Sequence, residues 1–380
     1  MDKYSRRIGI SGMGFYFPKH YISLEELLQA RGEHPGRATA GLGVQRMALS
    51  ASNEDSVSMA ANAVDSLEFS RDKIGKLIFA TECGIDQAKD NASYICELCN
   101  LPKNCEAYDV KAACAASTYA LWQVIDWILS GRGQGKQGLV VCSDMAMYEC
   151  MSGAELTGGA GAVALLVEED ASIINFDLET GDFKRNVRDF WKPHGEECAV
   201  IPENGRPSVL SYLDALAPSI QNYFDNGGKR DFDYLVFHTP YPKMVSKAFD
   251  NLSKVVPEIE GRFESMTSDS LKGPAFVGNI YNGSLYLALA SLLEINKTTV
   301  KGKRIGLYSF GSGSSSKFFS GVVNPNFNNS FYLFKQFENM EKIPPEFYER
   351  IRRGEEELKE SKGFLLNGID EQGYRHYSKF

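Results

Sequence analysis

The chain has 380 residues, 43% hydrophobic and 24% charged, enough for one large domain or two ordinary ones with a substantial core. Its net charge is −8 and its basic residues are scattered, so the composition argues against a nucleic-acid or anionic-membrane partner. The N-terminus lacks a signal-peptide apolar region, and no segment approaches about 20 uninterrupted apolar residues, so we expect a cytoplasmic protein with reduced cysteines.

Short apolar runs alternate with helical patterns in the first half of the chain. The predicted elements are a strand over 76–82, a helix over 92–101, a strand over 105–112, a helix from about Cys114 to Gly131 and a strand over 138–144. This alternation is typical of α/β layers around a buried sheet. In the Gly-rich segment 158–167 an apolar run follows the glycines, which predicts close backbone packing rather than a dinucleotide loop.

A second series of elements repeats this order later in the chain. It comprises a strand over 233–239, helices over 243–252 and 283–294, and a strand over 303–313 that runs into a Gly-rich segment. We therefore expect two similar halves, residues 1–172 and 173–380, that meet around a shared site. After Pro325 the chain is richer in charge and aromatic residues, which predicts an outer helical extension with the charged run 354–361 facing solvent.

Cys114 is predicted to lie at or just before the first turn of its helix. Unpaired N–H groups and the helix dipole stabilise an anion there, so we expect the pKa of the thiol to be lowered. The alanines on either side leave room for a substrate. On position alone, a small buried cysteine that only packs is an equal alternative.

Further polar residues lie at predicted strand ends and turns. Glu82 closes the strand over 76–82 and His238 the strand over 233–239, while Asn279 opens a helix and Ser312 lies in a Gly-rich turn. Each alone is typical of a satisfied polar group at an element end. Together they supply a thiol, a base, an imidazole and amide donors, which acyl transfer requires. We expect no other carboxylate in these segments to share the position of Glu82.

A metal site is not predicted. Cys96, Cys99 and Cys105 form part of a zinc pattern, but a second Cys-x-x-Cys and clustered histidines are missing from the sequence. His194 is expected to be a histidine of a surface loop.

Seven segments carry a family resemblance: ATECGIDQAKDNASYI (80–95), VKAACAAST (110–118), SGAELTGGAGAVALL (152–166), VRDFWKPHGEE (187–197), FHTPYPKMVSKAF (237–249), VGNIYNGSLYLALASLLE (277–294) and SFGSGSSSKFFSG (309–321). In this order they resemble hallmark segments of the 3-hydroxy-3-methylglutaryl-CoA synthases, in the thiolase superfamily. The resemblance implies a duplicated thiolase-like α/β fold, five αβαβα layers with two mixed sheets, and a homodimer.

The resemblance also implies an activity, the condensation of acetyl-CoA with acetoacetyl-CoA through an acetyl-cysteine, with no cofactor beyond these thioester substrates. The residues that match the family's functional positions are the acid/base Glu82, the nucleophile Cys114, the acetoacetyl-binding His238, and the substrate-orienting Tyr148, Asn279 and Ser312. Ala112 and Ala115 depart from the family pattern, which leaves the shape of the pocket beside the thiol open.

Three functions compete at this stage. The first is the CoA-dependent synthase of the mevalonate pathway, and the second is its relative in polyketide β-branching, which acts on a β-ketothioester bound to acyl carrier protein. The third is an unreactive scaffold, which the joint presence of the reactive groups disfavours. A ketoacyl synthase III would not use Glu82. Lys243 and Lys247 favour free CoA, because cations beside the pocket mouth bind its phosphates.

Overall fold

The structure is a computed structural model that describes residues 6–193, 195–196 and 198–380; His194 lies outside the described residues. The strands of this part are β1 (Ile8–Tyr16), β2 (His20–Ser23), β3 (Arg46–Leu49), β4 (Ile74–Ala80), β5 (Glu106–Val110), β6 (Gln137–Ala146), β7 (Gly159–Glu169), β8 (Ile174–Lys184), β9 (Tyr234–Phe237), β10 (Arg304–Gly311), β11 (Ser315–Val323), β12 (Glu341–Ile343), β13 (Phe364–Ile369) and β14 (Arg375–Lys379).

The α-helices are α1 (Leu24–Ala30), α2 (Ser56–Asp65), α3 (Asn91–Leu98), α4 (Ala116–Leu129), α5 (Arg206–Asp225), α6 (Pro242–Ser253), α7 (Phe263–Met266), α8 (Lys272–Val277), α9 (Ser284–Ile295), α10 (Leu333–Glu338) and α11 (Pro345–Arg352). All the strands and helices predicted before Pro325 are present, with ends that differ by a few residues. Within the described residues, no helix is long and apolar enough to cross a membrane.

Nine strands form one hydrogen-bonded series in the order β5-β4-β6-β7-β1-β8-β11-β10-β9. The two halves of the chain repeat one topology. The first strand of each half, β1 or β8, lies at the centre of the series, and the strands beside it run outward as β7, β6, β4 in the first half and as β11, β10, β9 in the second. They join where Ile8–Ile10 of β1 pairs antiparallel with Ile174–Phe176 of β8. The two mixed sheets expected from the resemblance therefore meet edge to edge, and the predicted duplication is confirmed.

Helices cover these sheets in layers. Helices α2 and α3 pack on the outer face of the first sheet, and α5 and α6 pack on the outer face of the second. Helices α4 and α9 share one core cluster with strands of both halves, so they form the central layer. Residues 285–290 of α9 are all buried, as expected of a helix that is apolar all round. The result is the predicted αβαβα order.

A close crossing of two backbones anchors the centre of the molecule. A Cβ on Gly278, which has φ +86°, would lie 1.9 Å from the carbonyl oxygen of Gly158, and one on Gly159 would lie 2.6 Å from that of Val277. Only glycine permits this approach. The expectation that the Gly-rich segment 158–167 packs closely against another backbone is confirmed.

The C-terminal extension differs from the expected helices. It contains the short helices α10 and α11, but also β12, which pairs with β2, and the hairpin of β13 and β14. The turn Asp370–Gly373, closed by a hydrogen bond from the Gly373 N–H to the Asp370 carbonyl oxygen, connects the two strands of the hairpin. The expectation of a purely helical extension is therefore wrong, whereas the charged run 354–361 is exposed as predicted, apart from the buried Leu358 and the half-buried Glu360.

Candidate active site

The predicted nucleophile and the predicted acid/base lie in direct contact. Glu82 follows the last residue of β4 by two positions, and Cys114 precedes the first residue of α4 by two positions. The Cys114 Sγ donates a hydrogen bond of 2.9 Å to the Glu82 Oε1. Only 8% of Cys114 is exposed, so the thiol lies at the bottom of the site. The ends of two separate elements thus bring a thiol and a carboxylate into hydrogen-bond contact, the arrangement that the two predicted roles require.

The expected lowering of the thiol pKa is wrong. Burial raises the pKa of Cys114 well above its usual value, and the neighbouring Glu82 raises it further. Burial also raises the pKa of Glu82, and the nearby Asp144 adds to this effect. The helix N-terminus does not compensate for desolvation and a carboxylate at 2.9 Å. The Cys114 thiol is therefore neutral in the resting site and donates its hydrogen bond to the Glu82 carboxyl group.

Asp144, on β6, is a second buried carboxylate that the sequence interpretation missed. Its Oδ1 accepts hydrogen bonds from the Glu82 N–H at 2.7 Å and the Thr81 hydroxyl at 2.9 Å. Its Oδ2 accepts bonds from the backbone N–H and the side-chain amide of Asn282, at 3.2 and 3.0 Å. Asp144 ends the apolar run 138–144 as Glu82 ends 76–82, so the same signal was available. Asp144 lies outside the seven segments of the family resemblance, to which the expectation about Glu82 was limited.

An aromatic wall closes the site beside the thiol. The buried rings of Tyr148 and Tyr281 lie edge to face, with centroids 6.3 Å apart, and Phe190 packs against both rings. These residues and Cys114 belong to one buried cluster. Tyr148 was singled out from the sequence, whereas Tyr281 and Phe190 were not, because aromatic residues at these positions are equally typical of ordinary core. The wall limits the space for an acyl group on the sulfur.

Asn279 lies behind this wall at the start of the segment that leads into α9. Its Oδ1 accepts bonds from the Tyr281 N–H and the Ser284 hydroxyl, both at 2.9 Å. Its side chain is also hydrogen-bonded to Tyr148. The amide oxygen of Asn279 is thus fully used by hydrogen bonds within the turn, and its NH₂ group is the part that faces the aromatic wall and the site.

His238 follows β9 directly and is buried. Its backbone N–H donates to the carbonyl oxygen of Tyr308 at 2.7 Å, which fixes it at the carboxyl end of the β9–β10 pair. Its Nδ1 is buried without a hydrogen-bond partner among the described residues. Burial lowers the pKa of His238 to about 3, so the imidazole is neutral across the physiological range. It shares no hydrogen bond with Glu82 or Cys114 in the described part of the chain.

Ser312 lies in the turn between β10 and β11, and this turn packs against the segment that carries the thiol. A Cβ on Gly311 would lie 2.4 Å from the carbonyl oxygen of Ala112 and 2.9 Å from the nitrogen of Ala115. The structure therefore brings the turn of Ser312 beside the backbone around Cys114. Ala112 and Ala115 supply the close packing there.

Three lysines are candidates for contact with an anionic substrate, and they differ in burial. Lys192 is half-buried, with its Nζ 3.9 Å from the Cys83 Sγ, and its charge opposes the rise in the pKa of Glu82. Lys243 and Lys247 are exposed one turn apart on α6, and neither has an acidic partner within ion-pair distance among the described residues. They are available to an anionic ligand. No group of three or more metal-ligating side chains was found in the described part of the chain.

Comparison with known proteins identifies the family. The sequence models of hydroxymethylglutaryl-coenzyme A synthase match this chain over residues 4–172 for the N-terminal part and 251–368 for the C-terminal part. A hydroxymethylglutaryl-CoA synthase of Enterococcus faecalis is 34% identical over 333 residues, which cover 85% of this chain and 84% of the relative. The chain belongs to the hydroxymethylglutaryl-CoA synthase family.

Solved structures of the family have the same fold. A crystal structure of an HMG-CoA synthase complexed with CoA superposes with a TM-score of 0.90 at 30% identity, covering 98% of this chain and 100% of the other. The HMG synthase of the curacin biosynthetic pathway, in complex with acetyl donor-ACP, has a TM-score of 0.87 at 28% identity, with coverage of 98% and 100%. The thiolase-like fold is thereby confirmed, and the two neighbours were solved with different molecules, one with CoA and the other with acetyl donor-ACP.

Proposed function

We propose that this enzyme condenses acetyl-CoA with acetoacetyl-CoA to give 3-hydroxy-3-methylglutaryl-CoA in the mevalonate pathway, as an acyltransferase that converts the acyl group into an alkyl group. The observation that carries the proposal is the 2.9 Å contact between the Cys114 thiol and the Glu82 carboxylate, in a chain of this family. Cys114 acts as the nucleophile and Glu82 as its proton acceptor. No resident cofactor or metal takes part in this scheme.

In the first half-reaction, the Cys114 sulfur attacks the thioester carbonyl of acetyl-CoA while its proton passes to Glu82. The tetrahedral intermediate collapses, the carbon–sulfur bond to CoA breaks, and Glu82 returns the proton to the departing CoA thiolate. Backbone N–H groups of Cys114 and Ser312 hold the developing oxyanion, a role supported by the packing of the Ser312 turn on the Cys114 segment. Acetyl-cysteine and free CoA result.

In the second half-reaction, Glu82 removes a proton from the acetyl methyl group, and the enolate attacks the ketone carbon of acetoacetyl-CoA. The new alkoxide takes the proton from Glu82. His238 orients the ketone as a neutral hydrogen-bonding group, consistent with its lowered pKa, while Tyr148 and Asn279 orient the substrates. Water then hydrolyses the bond to Cys114 and releases the product.

The carrier of the substrates is proposed from charge. Lys243 and Lys247 project one turn apart from α6 without acidic partners in the described chain, and free CoA has phosphates that match this pair. The alternative is the polyketide β-branching reaction on substrates bound to acyl carrier protein. It is supported by the likeness to the curacin pathway enzyme that was solved with acetyl donor-ACP.

The test compares both donors. Purified protein is incubated with acetyl-CoA or acetyl-carrier protein, the adduct is located by mass spectrometry, and loss of the acetoacetyl-CoA enolate absorbance is followed. We expect one acetyl group on Cys114, in the peptide from Val110 to Trp122, and none with Cys114→Ala. An adduct on Cys83 or Cys142 instead would overturn the assignment of the nucleophile, and activity only with the carrier protein would select the alternative.

We also propose that the enzyme is a cytoplasmic homodimer. Strand β5 ends the nine-strand series and pairs only with β4, and its residues Ala107, Tyr108 and Val110 are half-buried apolar groups at this open edge. A second copy would complete the hydrogen bonds of the edge. The eight free cysteines fit a reducing compartment. Sedimentation velocity of the wild type and of Tyr108→Lys tests the edge, and cell fractionation tests the compartment.

A further inference from the structure

Asn282 connects the two reactive elements of the site. Its side-chain amide donates to the Asp144 Oδ2 at 3.0 Å, and its Oδ1 accepts the backbone N–H of Ser117 at 3.0 Å. The Ser117 hydroxyl returns a bond of 2.8 Å to the Asn282 carbonyl oxygen. Asn282 is completely buried. One side chain from the second half of the chain therefore holds both a carboxylate beside the base and the helix that follows the nucleophile.

The helix contact replaces a missing cap. Ala115 occupies the N-cap position of α4, and no side chain of the helix's own N-terminal residues accepts a hydrogen bond there. Asn282 supplies that acceptor from a distant part of the sequence, through the bond to the Ser117 N–H. The position of Cys114, just before this helix, is thereby tied to Asn282.

The carboxylate contact decides where a proton resides. Asp144 accepts four hydrogen bonds, two of them from Asn282, so both of its oxygens are occupied by donors. The one hydrogen bond found for the Glu82 carboxylate comes from the Cys114 thiol. When two buried acids are neighbours, ionising one of them is much easier than ionising both. Hydrogen-bond donors around the pair then determine which of the two acids is ionised. Asn282 therefore favours the charge on Asp144.

Resting on the proposed function, we infer that Asn282 is a positioning residue that keeps Asp144 as the ionised acid and leaves Glu82 to carry the mobile proton. The other titratable or charged groups that act on this pair of acids are Cys83, Cys114, Cys142, Tyr148, Tyr281, Lys111 and Lys192. None of their side chains donates a hydrogen bond to Asp144 in the described structure, which distinguishes the amide of Asn282 from them.

Asn282→Ala removes one donor from Asp144, so Asp144 holds a proton more readily and Glu82 ionises at lower pH. We expect the carbon-13 NMR titration of the Glu82 carboxyl, assigned with Glu82→Gln, to move down by up to about one pH unit, because one hydrogen bond to a charged group shifts the acid that accepts it by about that much and Glu82 responds through its coupling to Asp144. The pH below which the rate of single-turnover condensation falls should also move to a lower value. Asn282→Thr, whose hydroxyl can still donate, should show a smaller shift.

Asn62 provides the matched control. It is also buried; its amide donates to the Phe364 carbonyl oxygen at 3.0 Å and its Oδ1 accepts from the Phe364 N–H at 2.7 Å, while no carboxylate of the described residues is hydrogen-bonded to it. Asn62→Ala should lower the melting temperature without moving the Glu82 titration. An unmoved Glu82 titration in both Asn282 variants would overturn the inference. The NMR titration needs no substrate, so it tests the role of Asn282 even if the protein cannot be acetylated. Failure of acetylation would refute the proposed function alone.

Discussion

Replacing Glu82 should separate the two half-reactions. In Glu82→Gln the thiol keeps a hydrogen-bond acceptor, but the negative charge disappears, and that charge is one of the main causes of the raised pKa of Cys114. The thiolate then forms at lower pH by losing its proton to solvent, so acetylation of Cys114 persists, although more slowly than with Glu82 as the proton acceptor. The removal of a proton from the acetyl methyl group, in contrast, requires a base, and the Gln side chain cannot act as one. The variant should accumulate acetyl-enzyme without forming a carbon–carbon bond.

The size of the loss follows from the surroundings of Glu82. Loss of a general base typically costs about 10²–10⁴ in rate. Asp144 is the carboxylate nearest to Glu82 in its hydrogen-bond network, but four donors occupy its oxygens and it is completely buried. Because Asp144 cannot take over, we expect a loss near the upper end, about 10⁴-fold in condensation.

Two measurements check this prediction on the same sample. Intact-protein mass spectrometry reports the acetyl group on Cys114 after mixing with acetyl-CoA, and the decay of enolate absorbance reports condensation with acetoacetyl-CoA. Cys114→Ala should show neither signal. If folded Glu82→Gln condenses at close to the wild-type rate, or never becomes acetylated, then the division of labour between thiol and carboxylate is incorrect.

Three other changes test separate parts of the molecule. Replacing both Lys243 and Lys247 with Ala should raise KM for CoA substrates more than it lowers kcat, and added salt should weaken wild-type binding; an unchanged KM would favour the carrier-protein substrate. His238→Ala should acetylate normally but lose affinity for acetoacetyl-CoA, and equal binding of acetoacetyl-CoA by variant and wild type would exclude that role. Burial raises the pKa of Glu54 to about 7 from an ordinary 4.5, so its contribution to folding, complete below pH 4.5, is lost as pH rises to 7. Relative to Glu54→Gln, the wild type should lose of the order of 3 kcal/mol of stability between pH 4.5 and pH 7, measured by thermal melts at each pH. The same dependence of stability on pH in both proteins would contradict this.

Strand ends were the most informative sequence signal for the site. Glu82 and His238 follow buried parallel strands, and the structure puts them at the carboxyl ends of β4 and β9. The same rule applies to Asp144, which was overlooked although it closes an equally apolar run. The position of a residue at the end of a strand depends on the residues next to it in sequence, so it can be predicted from the sequence alone.

Properties that depend on tertiary packing could not be predicted in the same way. The helix N-terminus favoured a low pKa for the Cys114 thiol, but the pKa depends on burial and on the distance to Glu82, which the fold determines. Asn282 was not singled out from the sequence, because its partners Asp144 and Ser117 are 138 and 165 residues away along the chain. The C-terminal hairpin was missed because charge and aromatic content dominated the interpretation.

The long sequence separation within the Asp144 and Asn282 contact has a consequence for folding. The first half of the chain contains both the thiol and the carboxylate, but its helix α4 lacks an N-cap until Asn282 docks from the second half. Contacts between such distant residues form late, because loop closure must precede them. Regain of acetylation should therefore lag behind regain of helical signal during refolding. A partly synthesised chain that lacks Asn282 would therefore carry the thiol and the carboxylate without the contact that fixes the start of α4.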